Sequence, residues 1–399
     1  MSDGPLAGVD VVELSSNIAG PFAGKLLGDM GAHVVKVERP GVGDSVRARP
    51  QPYDRHGTDG LTYRFLNYNT SKEGLAMNLK TDEGKDALEG LIESADVVLE
   101  NMRPGSMDRL GMGWETMREL NPGLVYCSIT GYGDGPYADR PAVDTMIQGI
   151  SGFASQIGDD DFGTMDVLVA DMSTGLYAAL GTVMALFSRA TGGSGQRVDV
   201  TMLDTMVSFL GHHLAEYTGD QRHDDYEADY GAAFAPNDFF ETADDHIALY
   251  LTQDYWARFC ATIDREAWAD PNHRYGTNES RLAHREELHA DLEAVFGTAT
   301  TEEWLDTFDA ADGPIPAAPV NDIAEMVADP QVQAQDAVQV RDHPVLGTHW
   351  LPNVVPKFSE TPGDIGHAPE LGGDTETILR EMGYGDADIE NMRAAGAFD

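Results

Sequence analysis

Between residues 9 and 130, apolar runs alternate with segments of helical spacing, and this constrains the fold more than any other feature of the chain. Residues 9–14 read as a strand, 20–30 as a helix and 34–38 as the next strand, which makes one βαβ unit. Residues 75–79 form another strand. Residues 83–94 carry Ala87, Leu88, Leu91 and Ile92 at helical spacing, and 96–99 and 124–129 are further apolar strands. Strands separated by helices pair in parallel, because a crossover through a helix returns the chain to the sheet in the same direction. The expectation is an α/β fold with a mostly parallel sheet, helices on its faces and ligands at the carboxyl ends of the strands. The loops at that edge are residues 15–21, 39–49, 100–105 and 130–136.

The later chain is organised differently. Residues 219–229 are acidic and polar and read as a linker. Beyond them, 239–252 alternates like strands around a turn at Asp244-Asp245, acid- and His-rich helical segments run to about 311, and a Pro-rich run closes at 319. The predicted organisation is a large domain over 1–218, the linker, a smaller α+β domain over 230–318, and a return segment over 319–399 with a helix pair near 375–394.

Charge excludes several functions. The 399 residues hold 68 acids against 26 bases, a net charge of -42, which repels nucleic acid and anionic membranes. The acids are dispersed between apolar runs, as in folded proteins of salt-loving cells, where molar salt shrinks the Debye length to about 3 Å. No run of 18 apolar residues and no basic leader with an apolar stretch occurs, so the expected location is cytoplasmic, away from membranes. Cys127 and Cys260 lack CxxC spacing, His212-His213 point to different faces, and His284 and His289 are five apart. No metal site is therefore expected. Residues 1–150 hold 22 acids and 14 bases, the rest 46 and 12. That basic bias fits either a phosphate-binding first part or one with more buried sheet.

Asp171 is the leading candidate for chemistry. The apolar run 167–170 reads as strand-like, Ser173 or Thr174 as the N-cap of an apolar helix over 176–187, and Asp171 as an acid just outside that helix. The positive helix end favours the ionised carboxylate, which suits either a nucleophile or an acid that merely complements the dipole. Arg39, Arg47, Arg49, Arg103 and Arg109 fall in or near the ligand-edge loops. Guanidiniums there could grip phosphates and carboxylates or form surface ion pairs. Gly131 to Pro136 is a tight glycine turn rather than a dinucleotide loop, because Pro136 stands where a helix should start. No GxSxG motif is present.

Several segments, taken in order, resemble the class III CoA-transferases, the CaiB/BaiF family that includes formyl-CoA:oxalate CoA-transferase. They are Ala19-Gly20-Pro21-Phe22, Gly31 to Pro40, Gly43-Asp44-Ser45-Val46-Arg47, Asn101-Met102-Arg103-Pro104-Gly105, Arg109-Leu110-Gly111, Gly131 to Tyr137, Gly195 to Val200, Pro319-Val320-Asn321 and the tail from Gly383 to Gly396. The resemblance runs nearly end to end. It implies a Rossmann-like sheet in a large domain built from both chain ends, and a homodimer of interlocked rings. It also implies that Asp171 is a nucleophile passing through aspartyl mixed-anhydride and aspartyl-CoA thioester intermediates. Coenzyme A and its thioesters would be substrates, with no permanently bound cofactor, held by Ala19, Arg39, Asn101, Met102 and Arg109. Arg47 and Asp144 are carried over as substrate-binding, Arg47 for the second carboxylate of a dicarboxylic acid. Members from salt-adapted archaea act on succinyl-CoA and mesaconate, the expected donor and acceptor. Two departures stand out: Pro141 and Val143 replace a lysine and a tyrosine of the oxalate enzyme, and the glycine-rich flap is matched only by Tyr230 to Phe234. The related α-methylacyl-CoA racemases carry His where Val143 stands. A racemase-like enzyme or a non-catalytic acyl-CoA-binding protein are the alternatives.

Overall fold

The computed structural model describes residues 4–47, 61–157, 162–219, 233–343 and 347–398. Two compact units divide the chain, Met1–Gln221 with Asp336–Asp399, and Arg222–Gln335. The second unit runs past residue 318, where the small domain was expected to end. Across that boundary β9 (Ala317–Pro319) hydrogen-bonds to β8 (His246–Tyr250), which also pairs with β7 (Asn237–Glu241). Trp256, Phe259, Phe296 and Phe308 build the core of that unit.

The first unit is centred on six strands: β1 (Asp10–Leu14), β2 (His33–Glu38), β3 (Glu73–Ala76), β4 (Val97–Glu100), β5 (Val125–Thr130) and β6 (Gln196–Thr201). All pair in parallel, in the order β3-β2-β1-β4-β5-β6. The five expected strands are present within a few residues of their predicted ends; β6 was not expected. In β1, β2, β4 and β5 alternate residues enter cores on opposite faces, Val12, Leu14, Val35 and Val98 on one side and Val11, Val34, Val97 and Leu99 on the other. Burial on both faces is why these strands read as continuous apolar runs. Ile378, Leu379, Ile389 and Met392 from the terminal helices Thr375–Glu381 and Asp386–Ala394 join the first of these cores.

The connecting helices are α1 (Ala19–Asp29), α2 (Tyr63–Tyr68), α3 (Asp82–Ser94), α4 (Ser106–Arg109), α5 (Trp114–Leu120), α6 (Asp144–Ile150), α7 (Val169–Ala190) and α8 (Met202–Ser208). α3 shows how the local sequence dictates such elements. The Thr81 hydroxyl accepts from the Gly84 amide at its start, and Ala87, Leu88, Leu91 and Ile92 form its buried stripe. α7 packs against α1, β5 and β6. A Cβ at Gly175 would lie 2.6 Å from the Ala19 carbonyl, so glycine is what lets the start of α7 approach the start of α1. By length and composition α7 suffices to cross a membrane, with a mean hydropathy of 1.3, but just over half of it is buried inside the unit. Its other face exposes Leu176, Leu180, Val183, Met184 and Phe187 at helical spacing.

Candidate active site

The strand order reverses between β1 and β4, and a parallel sheet opens its ligand crevice beyond the carboxyl ends at such a point. Two loops from distant parts of the chain meet there. The Ser16 amide donates to Asn101 Oδ1 at 2.8 Å, and Asn101 Nδ2 donates back to the Ser16 carbonyl at 2.7 Å. Asn17 adopts a φ of 73°, a left-handed conformation held by its amide bonding to Asp44 Oδ1 at 2.9 Å. The Ser16 hydroxyl donates to the same oxygen.

Two cavities open on this crevice and share Ser16, Asn101 and Met102. The first, of about 340 Å³, has an apolar floor of Leu14, Val37, Met77, Leu79 and Leu110, with Arg39 and Lys80 among its lining. The second, of about 680 Å³, is lined by Asn17, Ala19, Arg103, Arg109, Arg140, Val143 and Asp171. Ala19, Asn101, Met102, Arg109 and Asp171 therefore lie around one cavity, and Arg39 in the adjoining one. Among the described residues, none of Arg39, Lys80, Arg103, Arg109 and Arg140 is ion-paired with a carboxylate; Arg109 donates only to Ser106 Oγ, at 2.8 Å. In a chain with far more acids than bases, cations left unpaired around two joined cavities mark a place for an anion.

Asp171 is the third residue of α7 and is buried. The expected strand before it is absent: helix begins at Val169, and the Ser173 and Thr174 hydroxyls bond back to the Val169 and Ala170 carbonyls instead of capping. The N-cap, Leu168, has no side chain to offer. The cap comes from another helix. Asp144, the first residue of α6, accepts from the Ala170 amide at 2.7 Å and the Asp171 amide at 3.1 Å through Oδ2. Gln148 donates to the other Asp144 oxygen, and its side chain also exchanges hydrogen bonds with the backbone of Met165. Asp144 is not among the lining of either cavity, and in this structure it positions the backbone of Asp171.

Arg47, expected at a substrate carboxylate, is paired inside the protein. Its Nε and a terminal nitrogen grip Glu38 at 2.9 and 2.8 Å, it donates to the Pro369 carbonyl, and its plane lies 3.5 Å from the Phe65 ring centre. Glycines at 41 and 43, with φ of 64° and 68°, turn the loop back so that this pair closes. The guanidinium is buried and committed to Glu38, so it is unavailable to a dicarboxylate. Beside it Lys36 contacts Glu13 and Asp44 at 2.9 and 3.0 Å, and Lys72 contacts Glu13 at 2.8 Å. Burial disfavours the ionised form of Asp44, but Lys36 and the amides of Asn17 and Val46 outweigh it and hold the carboxyl below its ordinary range. Asp44 thereby stays an acceptor for the strained Ser16-Asn17 turn.

Two contributors to the site escaped sequence reasoning. Arg140 lies just past the loop assigned over 130–136, and Lys80 follows the strand expected at 75–79, after which no ligand-edge loop was assigned, so the parallel-sheet rule would have reached both with a longer loop and one more strand end. The expected flap over 230–234 and Arg49 fall mostly or wholly outside the described residues.

Fold and site together define an α/β enzyme that presents a buried aspartate to an anionic ligand at a sheet switch point. A family model for CoA-transferase family III matches residues 6–375, and the chain belongs to that family of transferases. It is 33% identical over 402 residues to succinyl-CoA:glutarate CoA-transferase of Homo sapiens, covering 99% of this chain and 90% of that one. It is 34% identical to succinyl-CoA:mesaconate CoA-transferase of Haloarcula marismortui, covering 95% and 97%. Among solved structures, a CaiB/BaiF family protein from Brucella suis superposes with a TM-score of 0.84 at 30% identity, covering 96% of this chain and all of that one.

Proposed function

We propose that this enzyme moves CoA from succinyl-CoA to a dicarboxylic acid, with mesaconate the specific acceptor, through covalent intermediates on Asp171. The observation that carries the reading is Asp171 lining one cavity with Arg103, Arg109 and Arg140, next to the apolar cavity holding Arg39 and Lys80. The guanidiniums of Arg39, Arg103 and Arg109 and the Lys80 ammonium suit the phosphates of CoA, and the apolar floor suits its adenine. Asp171 attacks the donor thioester carbonyl, giving an acyl-aspartyl anhydride and CoA thiolate. The thiolate then attacks the aspartyl carbonyl, which releases the donor acid and leaves an aspartyl-CoA thioester. The acceptor carboxylate attacks that thioester to form a second anhydride, and the thiolate takes the acceptor acyl group and frees Asp171. Splitting one exchange into such steps lowers each barrier, provided that water is kept from the acyl intermediates.

Val143 supports transfer over racemisation: it lines the cavity where the racemases need a second acid/base group, and no His is among the described lining residues. The dicarboxylate reading draws on relatives named for glutarate, L-malate and mesaconate. The exposed apolar stripe of α7 supports a homodimer, interlocked as in the family resemblance. The acidic composition supports a cytoplasmic enzyme adapted to high salt. The test is chemical. Acyl-CoA with hydroxylamine should convert Asp171 to a hydroxamate detectable by mass, and Asp171→Asn should fold and bind CoA yet transfer nothing. An active Asp171→Asn variant, checked for deamidation, would sink the mechanism.

A further inference from the structure

With Arg47 buried against Glu38, the second cavity needs another cation if it is to distinguish a dicarboxylic acid from a monocarboxylic one. Three line it: Arg103, Arg109 and Arg140. Arg103 and Arg109 come from the segment after β4, whose neighbours Asn101 and Met102 also line the first cavity, and Arg109 is tethered to Ser106. That places them on the side the CoA reading assigns to phosphates. Arg140 comes from the loop after β5. Four residues further on, that loop becomes Asp144, whose carboxylate holds the Asp171 amide, and Val143 in between lines the same cavity.

We infer that Arg140 binds the second, non-reacting carboxylate of the substrate acid while the first meets Asp171; the inference rests on the transferase reading and deepens it. The Arg140 guanidinium lies 3.9 Å from the Tyr137 ring centre. Stacking uses the face of the guanidinium and leaves its in-plane N–H donors for a carboxylate, in the paired geometry that planar groups favour. Among the described residues no carboxylate takes those donors, although Asp139, its neighbour in the chain, lines the same cavity. Tyr137 limits the directions in which the fork can point. A cation fixed in this way selects for charge at the far end of a short acid, where an aliphatic tail leaves the donors unmatched.

The experiment compares acceptors with a fixed saturating succinyl-CoA donor. In a double-displacement reaction kcat/KM for the acceptor reports the acceptor half alone, so donor effects drop out. Wild type should prefer glutarate to butyrate. In Arg140→Gln the ratio of the two kcat/KM values should fall on the order of 10- to 100-fold, as expected for loss of a hydrogen bond to a charged group. Arg140→Lys should fall between, keeping charge without the fork, and the dissociation constant for free CoA should stay within about twofold of wild type. A proportional loss on both acceptors, an unchanged ratio, or CoA binding weakened about tenfold would each overturn the assignment, the last by placing Arg140 on the CoA phosphates. Transfer by wild type to no acid at all would instead remove the transferase reading, and this inference with it.

Discussion

Asp144 provides the sharpest test of how Asp171 is held. Its carboxylate is 4% exposed and accepts from two first-turn amides of α7 at 2.7 and 3.1 Å. Asp144→Ala leaves both amides and a Gln148 donor without an acceptor, and each buried orphan costs about 1–3 kcal/mol. The expected loss is therefore about 3 kcal/mol or more of unfolding free energy, compared with about 1 kcal/mol for an ordinary exposed cap. Asp144→Asn can still accept from both amides with its oxygen. Its amide nitrogen, however, faces the Gln148 donor, and Gln148 cannot turn over without breaking its bond from the Met165 amide, so a smaller loss of about 1–2 kcal/mol follows. Activity separates positioning from contact. A first turn shifted by about 1 Å should lower kcat on the order of 100-fold with little change in acceptor KM. Urea unfolding at constant high salt and steady-state kinetics measure both quantities. If Asp144→Ala keeps its stability and raises acceptor KM alone, Asp144 touches substrate and the reasoning fails.

Two further outcomes concern the whole chain. His33 bridges Asp10 at 2.9 Å and Glu73 at 3.2 Å across the amino ends of β1, β2 and β3. Burial opposes its charge, but these two acids outweigh it and raise the imidazole above its ordinary 6.5. A raised pKa means a contribution complete below that value and lost as pH rises through the folded pKa. The urea-midpoint gap between wild type and His33→Gln should therefore shrink as pH rises from below 6.5 through the raised folded pKa. The gap should be under about 1 kcal/mol, because the side chains are half exposed, and one that widens with pH would reverse the argument. We also expect melting temperature and activity to fall together on dialysis into dilute buffer and to recover in molar salt, as mutual repulsion of a net charge of -42 requires; full activity in dilute buffer would refute this.

The sheet was legible because strands buried on both faces write their burial directly into apolar runs, and α3 because its stripe has an unmistakable period. The run 167–170 was misread as strand because four apolar residues carry no period, and whether they become helix is decided by Asp144, 27 residues before Asp171 in the chain. Ala19, Arg39, Asn101, Met102 and Arg109 were named through the family resemblance, and the structure places them around the two cavities of the crevice. Position along the chain could not say which guanidinium remains available. Arg47 and Arg140 look alike in a one-dimensional string, yet one is enclosed with Glu38 and the other faces a cavity. That difference depends on a loop reversal at two glycines and on which described carboxylates pair with a guanidinium, both of which are properties of three-dimensional packing.

The choice of cation around Asp171 has a consequence for the enzyme's own durability. Thioesters and mixed anhydrides acylate amines readily, so a site that generates them endangers any lysine nearby. The three bases lining the Asp171 cavity are all arginine, whose guanidinium stays protonated and is a poor nucleophile at working pH. Of six lysines in the chain, Lys25, Lys36 and Lys72 are sealed in buried ion pairs, and Lys80 lines the other cavity. On the proposed mechanism, the Asp171 cavity thus attracts an electrophile's negative charge without any described lining residue offering it an amine to modify.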